Sequence, residues 1–321
     1  MSFTSKVKTE LADRISNAKH CRVAEIAALI SMCGNVSIDE FDRYKVHIQT
    51  DTEVTAKKFR ELLWKTSHID TDVEEKDRQL SHSKKTYIVE IKSSEDALTI
   101  LNETKIMNAK NEVEEQMDVN KNEILKKDCC KRAYLRGAFL AAGSISDPEK
   151  SYHFEIKCIN ENKANQIVDL FKSFGVDAKT INRKNKFVVY LKDSEKVVDA
   201  LNIMEAPIAL LEVETIKVDK EMSNKINRQM NCDQANINKT VNAAQRVIED
   251  IKYIEEEVGL SYLPEKLQQV AQIRMDNPEE SLQDIGDMMN PPLGKSGVNH
   301  RLRKISEIAQ NLRDEERPNR L

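Results

Sequence analysis

The sequence predicts an α+β protein in which a duplicated αββαββα domain with a pseudo-twofold axis is followed by an all-α helix-turn-helix domain. The duplication is indicated by two similar segments, 26–38 and 135–147, that recur at an offset of 109 residues. Strands are indicated by alternating apolar and polar residues within each copy. The last domain is indicated by apolar residues at helical spacing near the C-terminus.

The first helix of each repeat is apolar and rich in small residues. The segment reads IAALISMCGNVSI in the first copy and LRGAFLAAGSISD in the second, with closing glycines at Gly34 and Gly143. Small residues allow two helix axes to approach closely. We therefore expect these helices to pack against each other along the pseudo-twofold axis, and two independent buried helices are the alternative.

Each of these helices is followed by strand patterns. YKVHIQT at 44–50 matches YHFEIKC at 152–158, and a period of two is typical of a strand with one buried face. After an amphipathic helix, TYIVEIKSSEDALTILN at 86–102 matches KFVVYLKDSEKVVDALN at 186–202, which predicts a further strand and helix. The residues expected to cap these last helices are Ser94 and Ser194.

From these elements we predict three regions along the chain. Asparagine favours caps and turns over helix interiors, so the Asn-rich stretch after the second repeat is expected to be a connector. The regions are a duplicated domain at 1–220 with repeats at about 1–110 and 121–220, a connector followed by a helix over 241–258 within 221–260, and a helix-turn-helix domain at 261–321.

The C-terminal domain is predicted from three helical segments. A helix over 263–274 precedes a short helix over 281–289, where Ser281 and Asp284 form a capping-box pattern. Prolines and glycines then indicate a turn, and Ser296 is expected to cap the last helix. The apolar stripe expected on that helix is Val298, Leu302, Ile305, Ala309 and Leu312.

The opposite face of the last helix carries polar and basic side chains. Such side chains hydrogen-bond base edges and phosphates, and in a helix-turn-helix the last helix enters the major groove. A three-helix bundle with a solvated basic face is the alternative. The candidate DNA-binding residues are Lys295, Ser296, Asn299, His300, Arg301, Arg303 and Lys304.

The overall charge gives no support for general nucleic-acid binding. The chain has 50 Lys and Arg against 54 Asp and Glu, a net charge of −4, so DNA contacts must come from local patches. On the predicted sheets, the outward positions and hairpins offer basic side chains that could contact phosphates, and a solvated outer face is the equal alternative. These candidates are Lys45, His47, Lys157, Arg183, Lys184 and Lys186.

The cysteines and histidines do not predict a metal site. Six cysteines contain no CxxC pair, and six histidines are scattered along the chain. We therefore expect reduced thiols, no metal and no cofactor. The chain has no apolar run long enough for a membrane span or signal peptide, so it is expected to be cytoplasmic and associated with the nucleoid.

The segment LRGAFLAAGS resembles the LAGLIDADG motif of homing endonucleases, in which paired helices carry two saddle-shaped sheets that grip DNA. In that family an acid before the closing glycine holds a divalent metal at the scissile phosphate, but here those positions are Cys33 and Ala142. Ser31 and Leu140 are not acids either, and a thiol is a poor ligand for Mg²⁺. We therefore expect no nuclease activity, with acids outside the motif, such as Asp39 or Asp147, as conceivable substitutes.

The strings RQMNCDQANINKTVNAAQR at 228–246 and GVNHRLRKI at 297–305 make the whole chain similar to the WhiA family. The resemblance implies a degenerate LAGLIDADG domain fused to a helix-turn-helix like sigma region 4. It implies a sequence-selective DNA-binding regulator of transcription in cell division, chromosome segregation or sporulation. Its expected partners are double-stranded DNA and RNA polymerase or another transcription factor, and the protein is expected to be monomeric.

Two rival functions remain open at this level. One is an active homing-type endonuclease that uses displaced acids. The other is a protein-interaction scaffold in cell division, in which the basic faces are merely solvated.

Overall fold

The computed structural model describes residues 1–41, 43–77, 85–108, 112–183 and 186–316. The chain divides into two compact units, Met1–Glu221 and Met222–Leu321. No helix in the described part of the chain is both long enough and apolar enough to cross a membrane.

The first unit is the predicted duplicated α+β domain. Each repeat contains a four-stranded antiparallel sheet, with strand order β1-β2-β4-β3 in the first and β5-β6-β8-β7 in the second. The elements of the first repeat are α1 (Phe3–Asp13), α2 (Lys19–Cys33), β1 (Gly34–Ile38), β2 (Tyr44–Thr50), α3 (Glu53–Ser67), β3 (Val73–Asp77), β4 (Lys85–Ile91) and α4 (Ser94–Glu103). The elements of the second are a 3-10 turn (Glu123–Leu125), α5 (Asp128–Ala142), β5 (Gly143–Ile145), β6 (Phe154–Cys158), α6 (Glu161–Lys172), β7 (Lys179–Arg183), β8 (Lys186–Leu191) and α7 (Ser194–Met204).

Helices α2 and α5 pack against each other in the core of this unit, as the small residues predict. A Cβ atom at Gly137 would lie 2.7 Å from the Glu25 carbonyl oxygen and 2.9 Å from the Ala28 Cβ. Only glycine therefore permits this approach of α5 to α2. The alternative of two independent buried helices is wrong.

Alternation places one face of each sheet against this core. In β2, Val46 and Ile48 are fully buried, whereas Lys45 is exposed and His47 is half-buried on the other face. In β6, Phe154 and Ile156 are likewise fully buried. Successive side chains of a strand point to opposite sides, so the remaining residues of β2 and β6 lie on the second face of each sheet, which does not pack against the core.

The caps of α4 and α7 differ by one residue from the sequence prediction. The N-caps are Ser93 and Asp193, whose side chains accept the backbone N–H groups of the first helical turn. Ser94 and Ser194 therefore lie inside their helices. The Ser94 hydroxyl instead accepts the Tyr44 N–H at 2.9 Å, which joins α4 to the start of β2.

A buried ion network crosses the α2–α5 contact. Glu25 accepts hydrogen bonds from Arg136 Nε at 3.1 Å and Nη2 at 2.9 Å, and Lys58 Nζ lies 3.5 Å from the same carboxylate. Lys58 also donates to the carbonyls of Leu11, Ala12 and Arg14 at the end of α1, where a cation is favourable. The second repeat has a different polar cluster, in which Tyr134 donates to Gln166 at 3.0 Å.

Helix α1 was not identified from the sequence. It buries Phe3, Val7 and Leu11 in the core of the first unit. Lys8 on the same helix is also buried, with only 7% of its surface exposed.

The Asn-rich segment is part of one continuous helix, α8 (Pro207–Glu257). The prediction of a connector with a helix beginning at Val241 was wrong on this point. All side chains from 221 to 240 are exposed, so asparagine loses no buried contact there. Asparagine costs well under about 1 kcal/mol in a helix, and no glycine or proline occurs between Pro207 and Gly259 to stop it.

The second unit contains a compact set of C-terminal helices. They are a 3-10 turn (Leu260–Tyr262), α9 (Glu265–Asp276), α10 (Leu282–Asp287) and α11 (Lys295–Glu316). The capping box between Ser281 and Asp284 is present at the start of α10. The Gly294 carbonyl accepts the Val298 N–H, so α11 begins at Lys295 and Ser296 is not its cap as predicted.

The predicted apolar stripe of α11 packs into the core of the second unit. Val298, Ile305 and Ala309 are fully buried, and Leu302 is 3% exposed. Gly286 of α10 allows the Leu293 carbonyl oxygen to lie within 2.0 Å of where a Cβ would stand, so the turn before α11 folds directly over α10. This stripe fixes which side of α11 faces outward.

Candidate nucleic-acid interface

The outward face of α11 carries the polar and basic residues that the sequence singled out. Six of the seven are exposed, and Arg301 is half-buried. Arg301 donates to the Lys266 carbonyl at 3.3 Å, which ties α11 to α9 and leaves this side chain less available than its neighbours. The exposed members are Lys295, Ser296, Asn299, His300, Arg303 and Lys304.

These residues divide between two grooves on either side of α11. Lys295, Asn299 and Arg303 line a groove of about 420 Å³ whose other wall includes residues between 239 and 247 of α8. His300 and Lys304 line a second groove of about 480 Å³ beside the start of α9. Residues spaced by four lie on one side of a helix, so the split follows from the helical repeat.

A buried guanidinium lies beneath the first groove. Arg274 is 4% exposed and donates to the Glu280 carbonyl at 2.6 Å. Its Nε has no hydrogen-bond partner in the described residues, and burial lowers the pKa of this group. From the sequence, Arg274 is only the last residue of the helix predicted over 263–274, because helical spacing does not distinguish a buried cation from an apolar neighbour.

The open faces of the two sheets differ in charge. In the first sheet, Lys45 and His47 share their face with Glu74 and Glu90, so this surface is mixed. In the second sheet, Lys157 lies opposite Val188, and Arg183 pairs with Lys186 at the end of the β7–β8 hairpin. Lys184 lies outside the described residues.

Glu155 is an acid on the second open face. Burial alone would raise the pKa of this carboxyl, but hydrogen bonds from Ser144 and His153 together with Lys157 hold it below its usual value. The carboxylate is therefore ionised and satisfied locally by its neighbours at 3.0 and 3.3 Å. Lys157 Nζ lies 3.7 Å from this carboxylate, whereas Arg183 and Lys186, the described basic residues at the hairpin end, form no ion pair with it.

A cavity of about 490 Å³ lies where α5 ends and the second sheet begins. Its lining includes Ala142 and Gly143, at the position where active homing endonucleases carry an acid. Cys33 ends α2 and donates its thiol to the Leu29 carbonyl at 3.2 Å, and burial raises the pKa of this thiol to about 12. Neither position offers an oxygen ligand for Mg²⁺.

Three lysines line this same cavity: Lys8, Lys157 and Lys186. The Lys8 ammonium makes no hydrogen bond or ion pair within the described part of the chain. Burial lowers its pKa to about 8, with attraction to Asp51 opposing the shift and repulsion from Lys157 adding to it. Asp51 lines the cavity as well, so the pocket holds three cationic side chains and one acid.

The acids suggested as substitutes for the missing motif acids lie elsewhere. Asp39 accepts hydrogen bonds from the Phe41 and Arg43 backbone and from the Arg43 side chain in a surface turn. Asp147 accepts the Glu149 N–H in another turn. Neither lines the cavity, whereas Asp51, which sequence analysis did not single out, does so.

The structure also brings together four residues that sequence analysis separated. The side-chain ligand atoms of His20, Cys21, Cys129 and Cys130 all lie within 4.8 Å of one another. The sequence contains no CxxC pair, and these four residues instead form two adjacent pairs, one from each repeat. Applying the offset of 109 would have placed His20 on Cys129 and Cys21 on Cys130.

The chain matches known proteins over nearly its whole length. Family models described as WhiA N-terminal LAGLIDADG-like domain, WhiA LAGLIDADG-like domain and WhiA C-terminal HTH domain match residues 19–107, 131–223 and 226–309. "Probable cell division protein WhiA" of Lachnoclostridium phytofermentans is 42% identical over 98% of this chain and 100% of that protein. The protein of the same name from Desulforamulus reducens is 40% identical over 98% of this chain and 97% of its own length. The crystal structure of full-length DUF199/WhiA from Thermatoga maritima has the same fold, with a TM-score of 0.60, 24% identity and coverage of 97% of this chain and 99% of that one.

Proposed function

Because this chain belongs to the WhiA family, we propose that it binds double-stranded DNA sequence-selectively and regulates transcription in cell division, chromosome segregation or sporulation, without cutting DNA. The observation that carries the proposal is the exposed face of α11. That face presents Asn299 and Arg303 on consecutive turns of a helix whose opposite side is fully buried. Such side chains can hydrogen-bond base edges in the major groove.

Phosphate contacts would hold α11 in place on the duplex. Lys295 and Lys304 flank the exposed face, and Asn290–Lys304 contains no acid. Arg274 adds a buried positive charge beneath one groove. Contacts of this kind supply affinity and register but not sequence preference.

We propose that the LAGLIDADG-like domain contacts the DNA backbone through the second sheet. Lys157, Arg183 and Lys186 lie on or beside its open face, and the first sheet is more acidic. Lys8 places an ammonium in the cavity where an active enzyme would hold its metal. A phosphate group there would provide the partner that this ammonium lacks among the residues that the structure describes. Neither Ala142 in this cavity nor Cys33 at the end of α2 supplies a carboxylate, which supports a role without hydrolysis.

The experiment that tests this function combines binding and cleavage. Purified protein is incubated with fragmented genomic DNA in Mg²⁺, and the retained fragments and any new ends are sequenced. We expect enriched fragments that share a motif and keep intact ends. New ends at defined sites that disappear with EDTA would refute the non-enzymatic assignment, and absence of enrichment would favour the protein-interaction scaffold.

A double variant tests the assignment of α11. Arg303→Ala with Lys304→Ala should weaken binding and reduce the slope of log affinity against log salt by about 1, because the Lys304 phosphate contact contributes roughly 0.9 and Arg303 is assigned to base edges. Lys252→Ala, an exposed lysine on α8 that lines neither groove, is the matched control. An unchanged affinity and slope in the double variant would refute the placement of DNA on α11.

We also propose that the protein acts as a monomer with RNA polymerase or another transcription factor as partner. The duplicated domain already supplies two related sheets within one chain, so a second copy is not needed for bipartite contact. Analytical ultracentrifugation should give the mass of one chain. Co-purification of RNA polymerase subunits with the tagged protein, lost on removal of residues 222–321, would support the partner.

A further inference from the structure

The first turns of α2 and α5 meet at a cluster of one histidine and three cysteines. His20 and Cys21 occupy the second and third residues of α2, and Cys129 and Cys130 occupy the same positions of α5. The His20 Nδ1 atom lies 3.1 Å from Cys130 Sγ and 3.3 Å from Cys21 Sγ. The four ligand atoms are all within 4.8 Å of one another.

These distances fit a tetrahedral ion. Zinc binds cysteine sulfur at about 2.3 Å and histidine nitrogen at about 2.0–2.1 Å, so the ligand atoms of a tetrahedral site lie roughly 3.5–3.8 Å apart. The observed contacts bracket that separation. Changes of about 1 Å or less in these separations would therefore bring the four atoms to the ligand positions.

Two features of the surroundings act on the sulfurs in opposite directions. Burial raises the pKa of the Cys21 thiol, and it raises the pKa of the Cys130 thiol to about 12, so these thiols are protonated until a cation binds. The positive ends of two helices lie at the cluster and stabilise the negative charge of bound thiolates. Cys21 and Cys130 are buried beside Ala24 and Ala133, whereas His20 and Cys129 are exposed. A cavity of about 600 Å³ is lined by Cys21 and Cys129 and gives an ion a path to the sulfurs.

We propose that His20, Cys21, Cys129 and Cys130 bind one Zn²⁺ ion as a closed Cys3His site. Soft sulfur ligands select zinc over the hard cation Mg²⁺ that a nuclease would use. Binding converts three thiols to thiolates and releases three protons to solvent, while the neutral imidazole donates the lone pair of Nδ1. No oxidant is involved.

The site joins the two halves of the duplicated domain. Each repeat supplies two adjacent ligands from one helix, so neither half binds the ion completely by itself. The helices are 15 residues long, so the cluster lies roughly 20 Å from the ends at Cys33 and Ala142. The ion would therefore hold the helix pair together at the end remote from the DNA-facing cavity.

The test measures metal in the full-length protein purified with a phosphine reductant and no chelator. We expect about one zinc ion per chain by elemental analysis. Replacement of zinc by Co²⁺ should give the intense visible bands of a tetrahedral thiolate site together with a near-ultraviolet sulfur-to-metal band. A strong zinc chelator should also lower the unfolding temperature of the protein.

Variants distinguish the site from adventitious binding. Cys130→Ser should lose the zinc and the cobalt bands, and Cys232→Ser, which alters an exposed cysteine of α8, should keep both. His20→Cys should keep the ion with a stronger sulfur-to-metal band, which separates loss of a ligand from failure to fold. Wild-type protein without zinc and without tetrahedral cobalt bands would overturn the proposal.

Discussion

Replacing Lys8 by methionine should stabilise the protein at neutral pH. The Lys8 ammonium is buried without a hydrogen-bonding partner in the described residues, and burial lowers its pKa from 10.5 to about 8. That difference corresponds to roughly 3 kcal/mol against the charged form at pH 7. Methionine has a similar length and no charge, so Lys8→Met should raise the free energy of unfolding by up to roughly 3 kcal/mol.

The increase in the free energy of unfolding that Lys8→Met brings should become smaller as the pH rises. Below pH 8 the lysine is protonated in both the folded and the unfolded protein, so the full penalty is present. Between pH 8 and 10.5 the unfolded state binds more protons than the folded state, and the wild type gains stability as the pH rises. The advantage of Lys8→Met should therefore be largest at pH 7 and shrink steadily toward pH 10.

Urea unfolding at several pH values provides the assay. The single tryptophan, Trp64 in α3, reports on the unit that contains Lys8. Lys6→Met is the matched control, because Lys6 lies on the same helix, is half exposed and pairs with Glu212 at 2.8 Å, a solvent-screened contact that contributes little to stability. A Lys8→Met variant that is less stable at pH 7, or whose advantage does not change with pH, would refute the reasoning.

The same change should weaken DNA binding if the cavity holds a phosphate. The variant would then gain stability and lose affinity together, which a general folding defect cannot produce. Fluorescence anisotropy with the selected DNA fragment measures the second effect, with Lys6→Met again as the reference. Unchanged affinity would remove Lys8 from the proposed interface while leaving the assignment of α11 intact.

Three further substitutions test the packing of the two units. Gly137→Ala should destabilise the first unit by about 1–3 kcal/mol, because the new Cβ would clash with Ala28 and with the backbone of α2. The cost of this clash outweighs the roughly 1 kcal/mol of helix propensity that alanine gains over glycine. An unchanged urea midpoint would show that the helices separate without strain. Glu25→Gln should cost about 3–5 kcal/mol, because it leaves the buried Lys58 without a carboxylate and Arg136 with only Glu205. A variant as stable as wild type in the Trp64 assay would contradict this. Leu302→Ala should destabilise the second unit by about 2–5 kcal/mol and abolish DNA binding while the Trp64 transition stays in place; a shifted Trp64 transition would indicate that the two units unfold together.

Local periodicity was sufficient to predict the duplicated architecture. Offsets between the copies located α2 and α5, and the alternation of β2 and β6 identified their buried faces, because both patterns are recorded within a few consecutive residues. The apolar stripe of α11 was predicted for the same reason. Its exact start was not, since Gly294 rather than Ser296 accepts the first helical hydrogen bond.

Features that depend on distant residues were missed. Lys8 looks like an ordinary surface lysine in a polar helix, and only the packing of α1 onto the core buries it. Glu25 and Arg136 are 111 positions apart, so no spacing rule connects them. The four proposed zinc ligands likewise come together only because α2 and α5 pack side by side.

The buried ion network makes the two halves of the duplicated domain specific for each other. The repeat offset places Glu25 opposite the position of Tyr134, and Arg136 opposite the position of Ala27. Two copies of the first half would therefore place two Glu25 carboxylates between the helices without a guanidinium. Two copies of the second half would place two Arg136 guanidiniums there without Glu25, each left with Glu205 of its own repeat as its acidic partner. Self-association of either half is therefore disfavoured by burial of like charges, whereas association of the two different halves pairs opposite charges. If the chain were split between the repeats, the fragments should assemble as a heterodimer and not as two homodimers. The specificity of one half for the other therefore resides in the buried side chains and does not require the covalent linkage.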